Sequence, residues 1–254
     1  MKSYDKSIYV SDSSSNSIVV IDTDTNTIKE EIIVSSSPKD MYITSENKKL
    51  YVACSGSSVV DVIDLTSNTK IDSINVEKNP FDVAATSNKL YVSYEENQKD
   101  NPLAIYDLNT KTKITDLSLK DYYYYDKALL ELSPDNNTLY VARTSSSNLW
   151  KFDITNDTPK LIKELSYSDL GYYNISNMKL SPDGTRIYLQ GNSYNFIKAF
   201  DTKTFQSVGR FDIVKSYNAK GFALSNDGRK GVVSHYGWYD YYYYDYYYYY
   251  YYYL

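Results

Sequence analysis

A tyrosine–valine pair, or a close variant of it, recurs six times along the 254-residue chain. Successive copies lie 42, 40, 49, 48 and 44 residues apart. The copies are Tyr9-Val10, Tyr51-Val52, Tyr91-Val92, Tyr140-Val141, Tyr188-Leu189 and Val232-Val233. A period of this length is typical of repeat architectures, in which one supersecondary unit is copied along the chain. The repeat therefore constrains the fold more strongly than any other feature.

An aspartate follows the first residue of each pair at a nearly constant distance. The distance is 13 residues in five copies, and the third copy has Asp107 at 16 residues, which a three-residue loop insertion explains. The five aspartates at the common distance are Asp22, Asp64, Asp153, Asp201 and Asp245. The first four lead into turns rich in threonine and asparagine, where a carboxylate can accept backbone N–H groups two residues on. We expect these aspartates to cap turns rather than to bind a metal.

Each period reads as four short strands separated by turn signals. In one period PFDVAAT and LYVSY flank the turn SNK, and LAIYD and KITDLSL flank the turn LNTKT. Four strands in about 44 residues are the signature of a propeller blade. The sequence predicts an all-β fold, a single β-propeller domain over 1–254 with about six four-stranded antiparallel blades. The blade repeats begin near residues 3, 38, 80, 126, 174 and 219.

Two segments carry a resemblance to a known repeat. SIYVSDSSSNSIVVIDTDTNTIKEEIIV and LYVACSGSSVVDVIDLTSNTKIDSINV resemble the YVTN-type repeat of propellers in archaeal and bacterial surface proteins. The similarity covers about residues 3 to 240. It implies a propeller fold and a cell-surface setting, but no reaction, because the motif consists of framework residues and propellers host many functions.

Composition limits the partners and cofactors. The net charge is −5, so we expect no nucleic-acid partner. No apolar stretch approaches the roughly 20 residues that span a bilayer, so no membrane insertion is expected. The N-terminal MKSYDKSIYV contains no apolar run of signal-peptide length, which by itself favours synthesis in the cytoplasm. No P-loop, dinucleotide fingerprint or haem-attachment motif is present, so no cofactor is expected.

The predicted loops differ between the two faces of the propeller. One face carries short turns, and the other carries the long loops, including 94–102, 120–131 and 167–177. Loops on a rigid scaffold usually carry binding, and tyrosine and tryptophan offer large contact areas. The candidate binding residues on this face are Tyr94, Tyr172, Tyr173, Tyr194, Tyr217, His235, Tyr236 and Trp238. The alternative is that these aromatic residues cover the ends of the interfaces between blades.

The sequence gives little support for a catalytic site or a metal site. His235 is the only histidine and Cys54 the only cysteine, which excludes a disulfide and a multi-histidine site. Asp40, Asp82 and Glu131 begin the inner strands and are weak candidates for an acidic ring that holds a metal. We therefore favour a non-catalytic propeller for binding a protein or glycan at a cell surface. An enzyme resembling propeller lactonases or lyases, with its site at the channel mouth, is the alternative.

The two ends of the repeat array depart from the pattern. Residues 3–7 align with the turn 45–49, so we expect the first blade to lack its innermost strand, and open blade edges would favour self-association. Tyrosine runs occupy 122–125, 241–244 and 246–253, and they leave three explanations open. These are a low-complexity tail, a generated sequence without evolved function, and placeholder residues. The last run falls in the final blade, whose end at 241–254 is tyrosine-rich.

Overall fold

The fold is an all-β propeller of antiparallel four-stranded blades. The computed structural model describes residues 2–95, 103–119, 127–144, 148–171, 174–191, 196–213, 219–225, 227–236 and 247–253. Within these ranges, five antiparallel sheets have four strands each and a sixth has three. The chain divides into two compact units, Met1–Leu130 and Glu131–Leu254, and each is described by itself.

The first unit contains three complete blades. Blade 1 consists of β1 (Lys2–Tyr4), β2 (Ser7–Asp12), β3 (Ser17–Asp22) and β4 (Thr27–Ile33). Blade 2 consists of β5 (Pro38–Thr44), β6 (Lys49–Cys54), β7 (Val59–Asp64) and β8 (Thr69–Asn75). Blade 3 consists of β9 (Pro80–Ala85), β10 (Lys89–Tyr94), β11 (Leu103–Asp107) and β12 (Lys113–Leu117). In each blade the strands are hydrogen-bonded in the order in which they follow along the chain.

The second unit contains the remaining blades, apart from the first residues of β13. Blade 4 consists of β13 (Ala128–Leu132), β14 (Thr138–Arg143), β15 (Leu149–Asp153) and β16 (Lys160–Leu165). The short helix α1 (Tyr167–Leu170) leads to blade 5, with β17 (Ile175–Leu180), β18 (Arg186–Gly191), β19 (Phe196–Asp201) and β20 (Ser207–Asp212). The sixth sheet consists of β21 (Ala219–Leu224), β22 (Lys230–Tyr236) and β23 (Tyr247–Tyr253). No helix in the described part of the chain is long and apolar enough to cross a membrane.

The first blade is complete, and the prediction that it lacks its innermost strand is wrong. Lys2–Tyr4 forms β1, which pairs antiparallel with β2 in the register Lys2 to Tyr9 and Tyr4 to Ser7. The turn between these strands places Asp5 at φ 51°, a left-handed conformation that aspartate tolerates better than most residues. The strand is held by its pairing with β2.

The last sheet falls short of the predicted sixth four-stranded blade. Its third strand is the tyrosine run β23, which pairs with β22 from Lys230 opposite Tyr253 to Tyr236 opposite Tyr247. Only three strands belong to this sheet among the described residues. The prediction of about six four-stranded blades is therefore confirmed for five. Residues 122–125 and 241–246, which include Asp245, lie outside the described residues.

The aspartate-led turns form as the sequence predicts. Asp22, Asp64 and Asp201 each accept two backbone N–H groups, from two and three residues on, at 2.7–3.0 Å. Asp107 and Asp153 accept equivalent bonds. These backbone hydrogen bonds lower the pKa of Asp22, Asp64 and Asp201, because they favour the charged carboxylate. The carboxylates are thus part of the turns.

The serine-led turns between the first and second strands of a blade are stabilised by a serine hydroxyl as well as by an aspartate. In blade 5 the hydroxyl of Ser181 donates to Asp183 at 2.6 Å and accepts the N–H of Arg186 at 2.9 Å. Gly184 completes the turn at φ 70°, and a Cβ atom there would lie 2.7 Å from Cδ of Pro134. A left-handed backbone and a close neighbour both explain why this position carries glycine.

The tyrosine of each repeated pair is a core residue. Tyr9, Tyr51, Tyr91 and Tyr140 are at most 2% exposed. The Tyr9 hydroxyl donates to Oδ1 of Asn68 in the next blade at 2.7 Å, and the Asn68 amide donates to Glu30. A buried tyrosine needs a partner for its hydroxyl, and here that partner ties blade 1 to blade 2. The recurring pair is therefore a framework feature.

A buried carboxylate also links blades 1 and 2. Asp61 in β7 is fully buried and accepts hydrogen bonds from the N–H of Ser35 at 2.6 Å and from the Ser73 hydroxyl at 2.6 Å. It also accepts a hydrogen bond from the Ser35 hydroxyl at 3.1 Å and forms an ion pair with Lys70 at 2.9 Å. Burial acts to raise the pKa of Asp61, but the hydrogen bonds from Ser73, Lys70 and Ser35 outweigh it and lower the pKa. Ser35 belongs to the link between the two blades.

The outer strands expose apolar side chains to solvent. Ile28 and Ile33 in β4 are 70% and 67% exposed, and Ile71 in β8 is 51% exposed. Ile162 in β16 is 53% exposed. In blades 2 to 5 the second strands, by contrast, are buried along nearly their whole length. In these four blades the fourth strand is therefore more exposed than the second.

Candidate functional site

A cleft of about 350 Å³ opens in the first unit, where inner strands of neighbouring blades begin. Its lining comes from the end of β2 and the turn after it, and from the first residues of β5, β9 and β13. The lining residues are Ser11, Ser13, Pro38, Lys39, Asp40, Phe81, Asp82 and Leu129. A concave site that combines apolar walls with a few polar groups is the usual form of a ligand site.

The sequence Pro-x-Asp places two carboxylates in the cleft. Pro38 and Pro80 are the first residues of β5 and β9, a position that proline accepts because it has no N–H to donate to the ladder. Asp40 and Asp82 follow two residues later. The Ser11 hydroxyl donates to the carbonyl of Lys39 at 3.0 Å, which fastens β2 to the start of β5. The repeat thus brings equivalent positions of two blades to one opening.

Asp82 serves the fold as well as the cleft. It is 6% exposed, and its Oδ2 accepts the N–H of Leu130 at 3.0 Å. Its own N–H donates to the Ser93 hydroxyl at 3.2 Å, and that hydroxyl donates to the carbonyl of Ala128 at 2.7 Å. Asp82 and Ser93 together hold β9 and β10 against the beginning of β13.

Asp40 is placed differently. Its side chain is half-buried in the cleft, and none of the described residues forms an ion pair or hydrogen bond with its carboxylate. Phe81 supplies an aromatic wall, and Pro38 and Leu129 are the other apolar lining residues. A carboxylate next to apolar walls interacts more strongly with a bound charge than one in open solvent.

Lys39, which lines the cleft, and Lys127, which lies beside the lining residue Phe81, both lie close to Glu95. Lys127 pairs with Glu95 and lies over the ring of Phe81, 4.8 Å from its centroid. Lys39 Nζ lies 3.7 Å from Oε1 of Glu95, a distance that suits an ion pair but exceeds a hydrogen bond. Glu95 therefore attracts both ammonium groups, and neither is paired with Asp40.

Most of the predicted aromatic surface falls outside the described residues. This applies to Tyr172, Tyr173, Tyr194, Tyr217 and Trp238. His235 and Tyr236 end β22, where they stand opposite Tyr248 and Tyr247, and their side chains are likewise outside the described part.

Tyr94, one of the candidate binding residues, is buried. Its side chain is 1% exposed and its hydroxyl is 2.8 Å from that of Tyr106. Burial and this hydrogen bond raise the pKa of Tyr94. Tyr94 packs between blades 2 and 3, among residues of one core cluster. This placement agrees with the alternative interpretation, in which such aromatic residues cover blade interfaces.

Glu131, the third weak candidate for an acidic ring, is engaged in an ion pair. Leu129 lines the cleft, and Glu131, two residues further on, pairs with Lys179 at 2.6 Å. Across the described ranges no group of three histidine, cysteine, aspartate or glutamate side chains is arranged to hold a metal.

Cys54 has the environment of an inert thiol. It is fully buried, and burial together with the nearby Asp61 charge raises its pKa to about 12. The nucleophilic form of cysteine is the thiolate, which is a negligible fraction at neutral pH with such a pKa. Cys54 is therefore a packing residue.

The cleft residues that sequence reasoning missed are Pro38, Lys39, Phe81, Leu129 and the two serines. Lys39 and Phe81 occupy the middle position of the Pro-x-Asp motif in two repeats. This motif is the sequence signal that could have identified them. Ser11 and Ser13 lie in a polar turn and carry no sequence signal of their own.

Comparison with known proteins supports the fold alone. No protein-family model and no curated protein sequence matches the chain. Hydrazine synthase from Kuenenia stuttgartiensis superposes with a TM-score of 0.72 at 18% identity, over 91% of this chain and 73% of that one. A functionally unknown protein from Desulfotomaculum acetoxidans gives a TM-score of 0.72 at 18% identity, over 90% of this chain and 74% of that one. Such low identity carries no activity from either protein to this chain.

Proposed function

We propose that this protein is a non-catalytic binding propeller that engages a protein partner at a cell surface through the cleft of its first unit. The observation that carries the proposal is the cleft itself, about 350 Å³ in volume. Its size lies in the range of ligand pockets. The cell-surface setting is proposed from the resemblance of the repeats to those of surface-protein propellers.

The residues around the cleft favour binding over catalysis. A general acid or base must be within reach of its substrate and able to exchange a proton. Asp82 is engaged by the backbone of Leu130, and Glu131 is engaged by Lys179. Asp40 alone would have to act as the general acid or base. The part of the chain that the structure describes offers no titratable partner that would take the other of these two roles. The lactonase-like or lyase-like alternative therefore has weaker support.

Titration of the isotopically labelled protein with three classes of probe tests this proposal. The probes are capped amino-acid amides, methyl glycosides and simple lactones, followed by amide chemical shifts. We expect a capped amino acid to shift the amides of Lys39, Asp40, Phe81 and Asp82 saturably and to be recovered unchanged. Turnover of a lactone would favour the enzyme, and binding of glycosides alone would make the ligand a glycan.

Two matched variants connect the shifts to the cleft. Ser13→Trp places a large ring at the mouth of the cleft and should abolish the response. Thr66→Trp makes the same change in an exposed aspartate-led turn of blade 2 and should leave the response intact. If no probe class shifts the cleft amides of the unaltered protein, the proposed function is wrong.

A further inference from the structure

Acidic groups outnumber basic groups around the cleft. Asp40, Asp82 and Glu95 supply three carboxylates, and Lys39 and Lys127 supply two ammonium groups. Both lysines are drawn to Glu95. The excess negative charge therefore lies at Asp40, on the wall of the cleft, where no described side chain compensates it.

The remaining polar groups of the cleft accept hydrogen bonds. The Ser11 hydroxyl donates its proton to the carbonyl of Lys39, which leaves its lone pairs available as acceptors. Ser13 is exposed on the turn that follows β2 and adds a second hydroxyl. With Asp40 and Asp82, these groups form a set of oxygen acceptors around one space. An occupant with several N–H donors and a positive charge would complement this set.

We infer that the cleft receives the guanidinium group of an arginine side chain presented by a protein partner. A guanidinium is planar, carries five N–H donors and remains charged at any physiological pH. It is also weakly hydrated and stacks on aromatic rings, which suits the wall formed by Phe81. An ammonium group offers fewer donors and is more strongly hydrated. The inference rests on the proposed function, because it names the chemistry of the ligand for the same cleft.

The net charge of the protein agrees with a basic partner. The chain carries −5 at neutral pH, and complementary charge accelerates encounter and disfavours wrong partners. An anionic ligand would meet the carboxylates of Asp40 and Asp82, and the two lysines nearest the cleft, Lys39 and Lys127, lie beside the carboxylate of Glu95. Charge complementarity therefore selects a cation over an anion.

Acetyl-L-arginine amide and acetyl-L-citrulline amide are the probes that test this inference. They have nearly the same shape, but citrulline is neutral. Affinities measured from amide shifts should differ by at least about tenfold in favour of arginine, the factor expected for one charge-assisted hydrogen bond. Addition of salt should weaken the arginine complex more than the citrulline complex, because exposed charges are screened.

Asp40→Asn is the decisive variant. It keeps the size of the side chain and should lower the affinity for the arginine probe about tenfold while leaving citrulline binding unchanged. Asp5→Asn is the matched control, because it removes one exposed carboxylate at the other end of β2, at a left-handed position that asparagine tolerates. The control should bind both probes like the unaltered protein.

The outcomes separate this inference from the proposed function. Equal binding of arginine and citrulline, or an unchanged affinity in Asp40→Asn, would overturn the arginine inference while the cleft stays a binding site. Tighter binding of a methyl glycoside than of the arginine probe would also overturn the arginine inference. A complete lack of shifts with every probe would remove the proposed function as well. An unchanged amide spectrum outside the cleft shows that each variant is folded.

Discussion

Asp61 shows how one buried charge can hold two blades together. Its carboxylate accepts from Ser35 in the link after blade 1 and from Ser73 within blade 2, and it pairs with Lys70. A buried charge is tolerated only when such partners satisfy it. Sequence reasoning could not identify this role, because Asp61 sits inside a strand, outside the repeated aspartate register.

Asp61→Asn should destabilise the protein by about 2 kcal/mol at pH 7, since buried donors lose a charged acceptor. The hydrogen bonds lower the pKa of Asp61 in the folded state, so its contribution is present above the unfolded value of about 3.9. That contribution is lost as the pH falls below this value, and the difference between the two proteins should therefore shrink in acid. Urea unfolding at pH 7 and at acidic pH measures both effects.

Asp72→Asn provides the comparison, because it removes a carboxylate that pairs with Lys111 at the surface. Exposed ion pairs contribute less than about 1 kcal/mol, so this variant should unfold at nearly the same urea concentration as the original. Equal losses in the two variants would show that Asp61 has no special role between the blades.

At the level of single elements, the turns are where sequence and structure agree best. Asp22, Asp64, Asp153 and Asp201 cap their turns as predicted, and the Ser181 hydroxyl holds the turn that contains Gly184. These predictions hold because the relevant forces are local, acting within five residues. Most of the short strands were equally predictable from the turn signals that separate them.

Gly184→Ala should lower the free energy of unfolding by about 1–2 kcal/mol. The backbone is left-handed there, which costs an alanine about that much, and the new methyl group would approach Pro134. Gly209→Ala in β20 adds a methyl group whose nearest neighbours, two ring carbons of Phe211, lie 4.0 Å away, and it should be neutral or slightly stabilising. Thermal unfolding of both variants checks this, and equal melting temperatures would contradict it.

The elements that the sequence failed to predict depend on tertiary contacts. Lys2–Tyr4 has too few residues to show an alternation, and it becomes a strand only by pairing with β2. Tyr94 is the last residue of β10 and precedes a long loop, a position that predicts an exposed side chain. Its side chain instead packs against residues of blade 2 in one core cluster. Glu131 was predicted as an acidic candidate together with Asp40 because both lie near the start of an inner strand. In β13, however, Leu129 is the residue that lines the cleft.

For the whole molecule, the repeat predicts the architecture but not the site. The recurring spacing specifies four strands per blade, because each copy must bury the same sheet face. The cleft is assembled from side chains of four blades, so no single copy of the repeat contains its pattern. Only the adjacency of β2, β5, β9 and β13 in space brings Ser11, Asp40, Phe81 and Leu129 together.

Amide exchange should follow the burial of the strands. In the first unit β6 and β10 are buried almost throughout, whereas β4 and β8 lie at sheet edges and are largely exposed. Protection depends on burial and on stable hydrogen bonding. We expect the amides of β6 and β10 to exchange orders of magnitude more slowly than those of β4 and β8, as measured by mass spectrometry of peptic fragments. Uniform exchange across a blade would contradict this.

The exposed isoleucines on the outer strands have a consequence for solubility. Ile28 adjoins Lys29, Ile71 adjoins Lys70 and Ile162 adjoins Lys163, so three of the four exposed isoleucines named above have a cation beside them. Lysine on an edge strand hinders the docking of another strand, because that docking would bury the charge. Acetylation of surface lysines should therefore make the protein precipitate or form large particles, detectable by light scattering. Succinylation, which replaces each cation with an anion, should preserve a clear solution.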